Sequence, residues 1–205
     1  MSARNRISSV GFLMVALLLL LSIPAIAAEK DAKAAQAEHE AMMAAMMKYA
    51  NPGEMHAFLK PLAGTWTTKT KMVMAGQEST SDGTCERAWL MGGRFLQSKY
   101  SGMMGPNMPF EGLELLGYDL RKNEPTSVWI DNMGTSITTS TKGTIDKASK
   151  TLTVYSDFPD PISGKPMTYK MVTKIVDENS HTFAMVGSKD GKDYTEMEIA
   201  YTRVK

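Results

Sequence analysis

From Gly64 to Lys205 the chain is a succession of apolar–polar alternations, interrupted by turn residues roughly every ten positions. A period of two buries one face of a strand and wets the other, so this stretch reads as a series of half-buried β-strands. Tyr169, Met171, Thr173 and Ile175 oppose Thr168, Lys170 and Lys174. Trp66, Met72 and Met74 share a face opposite Lys69 and Lys71. Near the C-terminus Thr195, Met197, Ile199 and Tyr201 take one face, and Glu196 and Glu198 the other. Ten strands are expected, starting near Gly64, Gln77, Arg94, Phe110, Pro125, Gly134, Thr151, Pro166, His181 and Lys192. The connections between them are short and carry turn chemistry, as at Gly92-Gly93, Lys122-Asn123-Glu124, Asp146-Lys147-Ala148, Glu178-Asn179-Ser180 and Asp190-Gly191. Short links favour antiparallel neighbours, and closing the sheet removes its exposed edges. The fold class is therefore all-β, an up-and-down antiparallel barrel of about ten strands preceded by an N-terminal helix.

Residues 28–62 form that helical segment, and residues 63–205 the barrel. Glu29 to Ala50 is rich in Ala, Met, Lys and Glu, and Asn51-Pro52-Gly53 ends it. A second short helix is expected from Glu54 to Leu62, with His56, Leu59 and Leu62 at helical spacing. Before it, Arg4 and Arg6 precede an apolar run from Val10 to Ile23, Pro24 breaks the run, and Ala25-Ile26-Ala27 offers small residues for cleavage. Residues 1–27 thus have the pattern of a secretory signal peptide, with an apolar run shorter than the ~20 residues of a membrane span.

Cleavage after Ala27 removes 27 of 205 residues and two arginines, leaving 178 residues with 21 basic and 22 acidic side chains. A nearly neutral chain lacks the positive footprint of a nucleic-acid binder. No second apolar stretch suggests a membrane span in the mature protein. Cys85 is the lone cysteine, so no internal disulfide forms, and it lies too far from Ala27 to carry a lipid anchor. The expected address is the periplasm or the medium outside a bacterium.

Leu62-Ala63-Gly64-Thr65-Trp66 places a Gly-x-Trp at the start of the first strand, and Tyr201-Thr202-Arg203 closes the last. This resembles the calycin superfamily of lipocalins and fatty-acid-binding proteins, in which such a tryptophan packs under a basic side chain from the end of the chain. The resemblance implies a structural pair of Trp66 and Arg203, a cation over an indole face worth ~0.5–2 kcal/mol. Gly92-Gly93-Arg94-Phe95, Phe110-Glu111-Gly112, Gly117-Tyr118-Asp119, Trp129-Ile130-Asp131 and Asp160-Pro161-Ile162-Ser163-Gly164 follow in an order similar to that of a bacterial family, domain of unknown function 1579. Met46-Met47-Lys48-Tyr49-Ala50, Pro52-Gly53-Glu54 and His56 extend the likeness upstream, so it covers about Met46 to Arg203. It implies a lipocalin-like barrel, often exported, and carries over no residue role.

A barrel of ten strands is wide enough to leave a lumen, and polar groups pointing into one are costly unless paired or used. Trp129, Asp131, Tyr169, His181 and Arg203 are the inward candidates, with Met171 adding apolar area; Arg94, Glu111 and Tyr118 are placed at the mouth. Two readings stand side by side. These residues line a pocket for a small apolar ligand, with Asp131 or His181 as polar anchor, or Gly-Tyr-Asp and Trp-x-Asp simply maintain turns and packing. Glu111 and Asp131 are also the nearest approach to an acid–base pair, but no catalytic motif occurs, so no catalytic residue is assigned. No cofactor is implied.

Sixteen of the 18 methionines remain after Met1 and Met14 are removed. Met42, Met43, Met46 and Met47 sit on the first helix, where His39, Met43 and Met47 share a face at i, i+4 and i+8. Met103, Met104 and Met108 cluster again in a Gly/Pro-rich loop. Thioethers select soft Cu(I), so copper buffering through His39 and the helix methionines is the alternative function. Methionine as a flexible apolar filler is the plainer one, and a structural barrel without ligand is the third.

Overall fold

The computed structural model describes the backbone of residues 11–205 except 75, 106, 160–163 and 190, and side chains from Glu29 onward. Residues 1–10, with Arg4 and Arg6, and Asp160-Pro161-Ile162-Ser163 lie outside the described residues. The chain divides into two compact units, one up to Ala50 and one from Asn51 to Lys205.

The first unit holds α1 (Gly11–Ala50). It begins well before Glu29 and continues through Pro24, which therefore does not break the helix. A proline removes one backbone donor, and the Ala- and Leu-rich sequence around it has high enough helix propensity to carry the helix past that loss. Residues 29–49 are exposed throughout. Among the described residues no helix is long and apolar enough to cross a membrane.

The second unit opens with α2 (Glu54–Phe58) and a 3₁₀ turn (Lys60–Leu62). The single helix expected over Glu54–Leu62 is split because Pro61 has no N–H to continue the α ladder. Ten strands follow: β1 (Gly64–Met74), β2 (Gln77–Leu90), β3 (Phe95–Gly105), β4 (Met108–Asp119), β5 (Glu124–Asp131), β6 (Thr138–Asp146), β7 (Thr151–Pro159), β8 (Pro166–Ile175), β9 (Ser180–Lys189) and β10 (Lys192–Arg203). Each pairs antiparallel with its chain neighbours, and β1 pairs with β10 to close the barrel.

Three expectations shift. The sixth strand begins at Thr138 rather than Gly134, because Asn132 is tied back to β4: its side chain accepts from Glu111 N and donates to Pro109 O, both at 3.0 Å. The β5–β6 ladder is correspondingly short, with only Val128↔Thr139 and Trp129↔Thr138 in register. In β10 the register shifts between Thr195 and Met197, which pair with Val186 and Met185. This bulge turns Thr195 to the outer surface, away from the inward Met197, Ile199 and Tyr201. Met103, Met104 and Met108 belong to β3 and β4 rather than to a loop.

One end of the barrel is plugged. Leu59 and Leu62 are 0% and 1% exposed and pack with Leu96, Leu116, Leu152, Val154 and Ile175. Burying each leucine contributes roughly 1.5–3 kcal/mol. Beside this cluster lies a second one of Trp66, Cys85 and Tyr201, with Tyr100, Phe183 and Ile199 against it.

Candidate functional site

Because side chains alternate along every strand, the inner residues of ten strands converge on one lumen. Beyond the plug they leave a cavity of about 270 Å³, whose apolar wall includes Leu116, Leu152, Val154, Met171, Phe183 and Ile199. A second space of about 550 Å³ adjoins it along β1–β3 and shares Tyr100, Met104, Phe110, Met197 and Ile199 with it. Cross-strand pairing places Met171 opposite Met185, Met185 opposite Met197 and Met197 opposite Met72. Four adjacent strands thus present a row of inward thioethers, a deformable and polarisable wall.

The aromatic side of the cavity is held by Trp129. Its indole N–H donates to Asp131 Oδ2 at 2.6 Å, while Asp131 Oδ1 accepts from Met133 N at 2.9 Å. The ring stacks near Phe110 at 6.2 Å and meets Tyr100 edge-on at 5.3 Å. It also lies where a Cβ on Gly112 would stand, 2.4 Å from Cζ/Cη atoms of the indole, so only glycine fits opposite it in Phe110-Glu111-Gly112. Trp129, Asp131 and Met171 all line the cavity.

The remaining candidates are placed differently. Tyr169 is buried and faces Phe158 edge-on at 5.6 Å, but does not line the cavity. Burial first, then hydrogen bonding with Glu196 and Tyr194, raises its phenol far above the ordinary range. His181 is inward and 1% exposed, sealed from the cavity between Tyr201, stacked at 4.1 Å, and Trp66, edge-on at 4.3 Å. Burial, with Arg87 and Arg203 nearby, pushes its pKa down to about 2, so it is neutral. Glu111 is exposed on the outer face, which separates it from the lumen and removes it as a partner for inward Asp131. Arg94 and Tyr118 lie not at the open mouth but at the plugged end: Arg94 donates to Met91 O at 2.7 Å in the β2–β3 turn, and Tyr118 donates to Asn123 Oδ1 at 2.9 Å. There His56 meets Tyr118 edge-on at 6.2 Å and accepts from Gly53 N at 3.1 Å. Gly-Tyr-Asp is accordingly a turn element, since Asp119 Oδ1 also accepts from Arg121 N and Lys122 N.

Trp66 and Arg203 are register partners, with the guanidinium 4.1 Å from the indole ring. Arg203 also donates to Ala63 O, Pro61 O and Glu178 O at 2.6–2.8 Å, so it ties the chain end to the plug. Gly64 is at φ +133, and a Cβ there would stand 2.2 Å from the Arg203 guanidinium. On α1, Met42, Met43, Met46 and Met47 are 42–54% exposed, and the helix around His39 is exposed too. Among the described residues no three His, Cys, Asp or Glu side chains gather as a metal site.

The polar centre of the lumen is one that the alternation offers but motif reading passes over. Cys85 and Arg87 share the inner face of β2, two residues apart. Arg87 is 7% exposed; its Nη1 lies 2.8 Å from His181 Nε2, and its Nη2 donates to Tyr100 Oη at 2.7 Å. Glu114 lines the same cavity and accepts from Ser98 Oγ at 3.0 Å. Buried Cys85 has its thiol pushed up by desolvation.

A closed ten-stranded antiparallel barrel, plugged at one end and hollow along its axis, is a lipocalin-like barrel. The chain belongs to the family described as Protein of unknown function (DUF1579), matched over residues 51–203. Among curated proteins none matches it. Similar solved structures are Rv2717c from M. tuberculosis (12% identity, TM-score 0.56, covering 76% of this chain and 100% of that one) and the S-type phycobiliprotein lyase CPES from Guillardia theta (10% identity, TM-score 0.52, covering 77% and 97%). At these identities the likeness is one of fold.

Proposed function

We propose that the protein is an exported binder of a small, mostly apolar ligand, held noncovalently in the lumen. The observation that carries this reading is the cavity of about 270 Å³, walled by leucine, valine, methionine and phenylalanine with a few polar groups among them. Pockets for small molecules have this composition and are found in the mouths of barrels. The barrel shared with the phycobiliprotein lyase is consistent with a ligand-binding use. Export rests on the basic, apolar and small-residue order of residues 1–27.

Native mass spectrometry on protein purified from its producing cells tests both parts. The expected result is a chain beginning at Ala28 that carries the extra mass of an apolar organic molecule, or acquires one on incubation with dodecanol or Nile red. A polypeptide that stays bare through that incubation contradicts ligand binding. A copper adduct in its place would transfer the function to the thioethers.

A further inference from the structure

The lumen changes character along its axis. Trp66, Cys85 and Tyr100 pair across β1, β2 and β3, and in the next inward row their places are taken by Thr68, Gly83 and Gly102. Thr70 and Ser81 pair in the row after that, and Met72 and Ser79 in the last. The space of about 550 Å³ along these strands therefore has a wall of hydroxyls and bare backbone, and it is about twice the volume of the 270 Å³ apolar cavity that it adjoins. Met197 and Ile199 of β10 flank that wall on one side, and Phe110 of β4 on the other.

The hydroxyls on this wall are uncommitted. Thr68 is 6% exposed and lines the space, yet neither its Oγ1 nor that of Thr70, nor the Oγ of Ser79 or Ser81, has a hydrogen-bond partner among the described residues. Gly83 keeps the Thr68 hydroxyl uncovered, because a Cβ there would stand 2.9 Å from Thr68 Oγ1 and 2.7 Å from Ser101 O. A buried hydroxyl without a partner costs free energy, which a ligand that hydrogen-bonds to it recovers. Among the described lining residues the charged one is Asp82, exposed on the outer face of β2, so the wall offers neutral donors and acceptors rather than a counterion.

Building on the lumen-binding reading, we infer that the ligand is a neutral amphiphile with a small polyol head, the size of glycerol or a single sugar. Its alkyl body lies in the apolar cavity along Leu116, Val154 and Met171, and its head between the hydroxyls of Thr68, Thr70 and Ser81 and the ring of Phe110. Such a head is two-faced, with hydroxyls at its rim and C–H groups on its faces, and so is the space that receives it. A plain alcohol brings one hydroxyl to a wall that presents four inward ones, at Thr68, Thr70, Ser79 and Ser81.

Displacement of Nile red from the full chain tests this, with decanol, decyl glucoside and free glucose as competitors and the two amphiphiles kept below their micelle concentrations. Decyl glucoside is expected to compete about ten- to a hundredfold better than decanol, the worth of about two neutral hydrogen bonds, and free glucose not to compete. Thr70→Val combined with Ser81→Ala keeps the shape of the wall, removes two hydroxyls and should erase most of the glucoside-to-decanol ratio; Thr68→Val should lower it as well. Should the combined variant fail to fold, as judged by circular dichroism, Thr68→Val and the unaltered protein still decide the matter. Decyl glucoside no better than decanol in the unaltered protein overturns the polyol head while leaving lumen binding intact. Glucose competing as well as its decyl glycoside overturns the amphiphile, and a ratio that survives every substitution overturns the assignment to this wall. Nile red that does not bind at all, with no competitor binding by calorimetry, overturns both readings.

Discussion

His181 is unprotonated in the fold, because burial and then the nearby Arg87 and Arg203 guanidiniums disfavour its charged form. The sign of the pH dependence follows. Its pKa falls from 6.5 in the open chain to about 2 in the folded one, so below pH 6.5 the unfolded state binds a proton that the native state does not. Stability is then lost as pH falls through 6.5, by about 1.4 kcal/mol at one unit below. His56, lowered by burial and then by Arg94, acts in the same direction. Asp119, Asp146 and Asp177 are held low by hydrogen bonds, so their contribution is lost as pH falls from the ordinary carboxylate pKa toward their lowered folded values, in a separate window. Urea unfolding at pH 7.5 and 5.5 should show the protein weaker at pH 5.5, and His181→Gln should show a smaller difference between the two. An unchanged difference would mean His181 titrates normally. At this scale the sequence is informative where a residue must have one neighbour, as Gly64 must clear Arg203 and Gly112 must clear Trp129. It is silent on His181 against Arg87, because β9 and β2 are not adjacent and their contact depends on how the barrel closes.

The strands were legible because recurring turn residues and a period of two announce them, and where the reading slips the reason is local. A single bulge in β10 reverses the face of Thr195, and the Asn132 side chain delays β6 by crossing to β4. Pro61 divides the helical plug, yet the plug still closes one end of the lumen. Leu59 and Leu62 fill one end, and Trp66 Nε1 donates to Leu62 O at 3.0 Å to fix it. Leu59→Ala removes a fully buried side chain from this junction, and a loss of about 2–5 kcal/mol is expected in chemical unfolding. A change below 0.5 kcal/mol would mean that the α2 segment is not seated on the barrel as described.

At the scale of the whole molecule, closure is the consequential fact. Pairing β1 with β10 leaves no edge to protect and brings inner faces from distant parts of the sequence around one space. Alternation names which residues point inward, so Trp129, Asp131 and Met171 were within reach, but it does not say which of them meet. The methionine row of Met171, Met185, Met197 and Met72 is visible only once the register of four strands is known. Sequence counting had drawn attention instead to the exposed methionines of α1. The two groups make the central claim directly testable by methionine-methyl NMR on the full chain titrated with dodecanol. Lumenal binding predicts shifts at Met104, Met133, Met171, Met185 and Met197, with Met42, Met43, Met46 and Met47 unmoved. Shifts confined to the helix methionines, or none at saturating ligand, would contradict it.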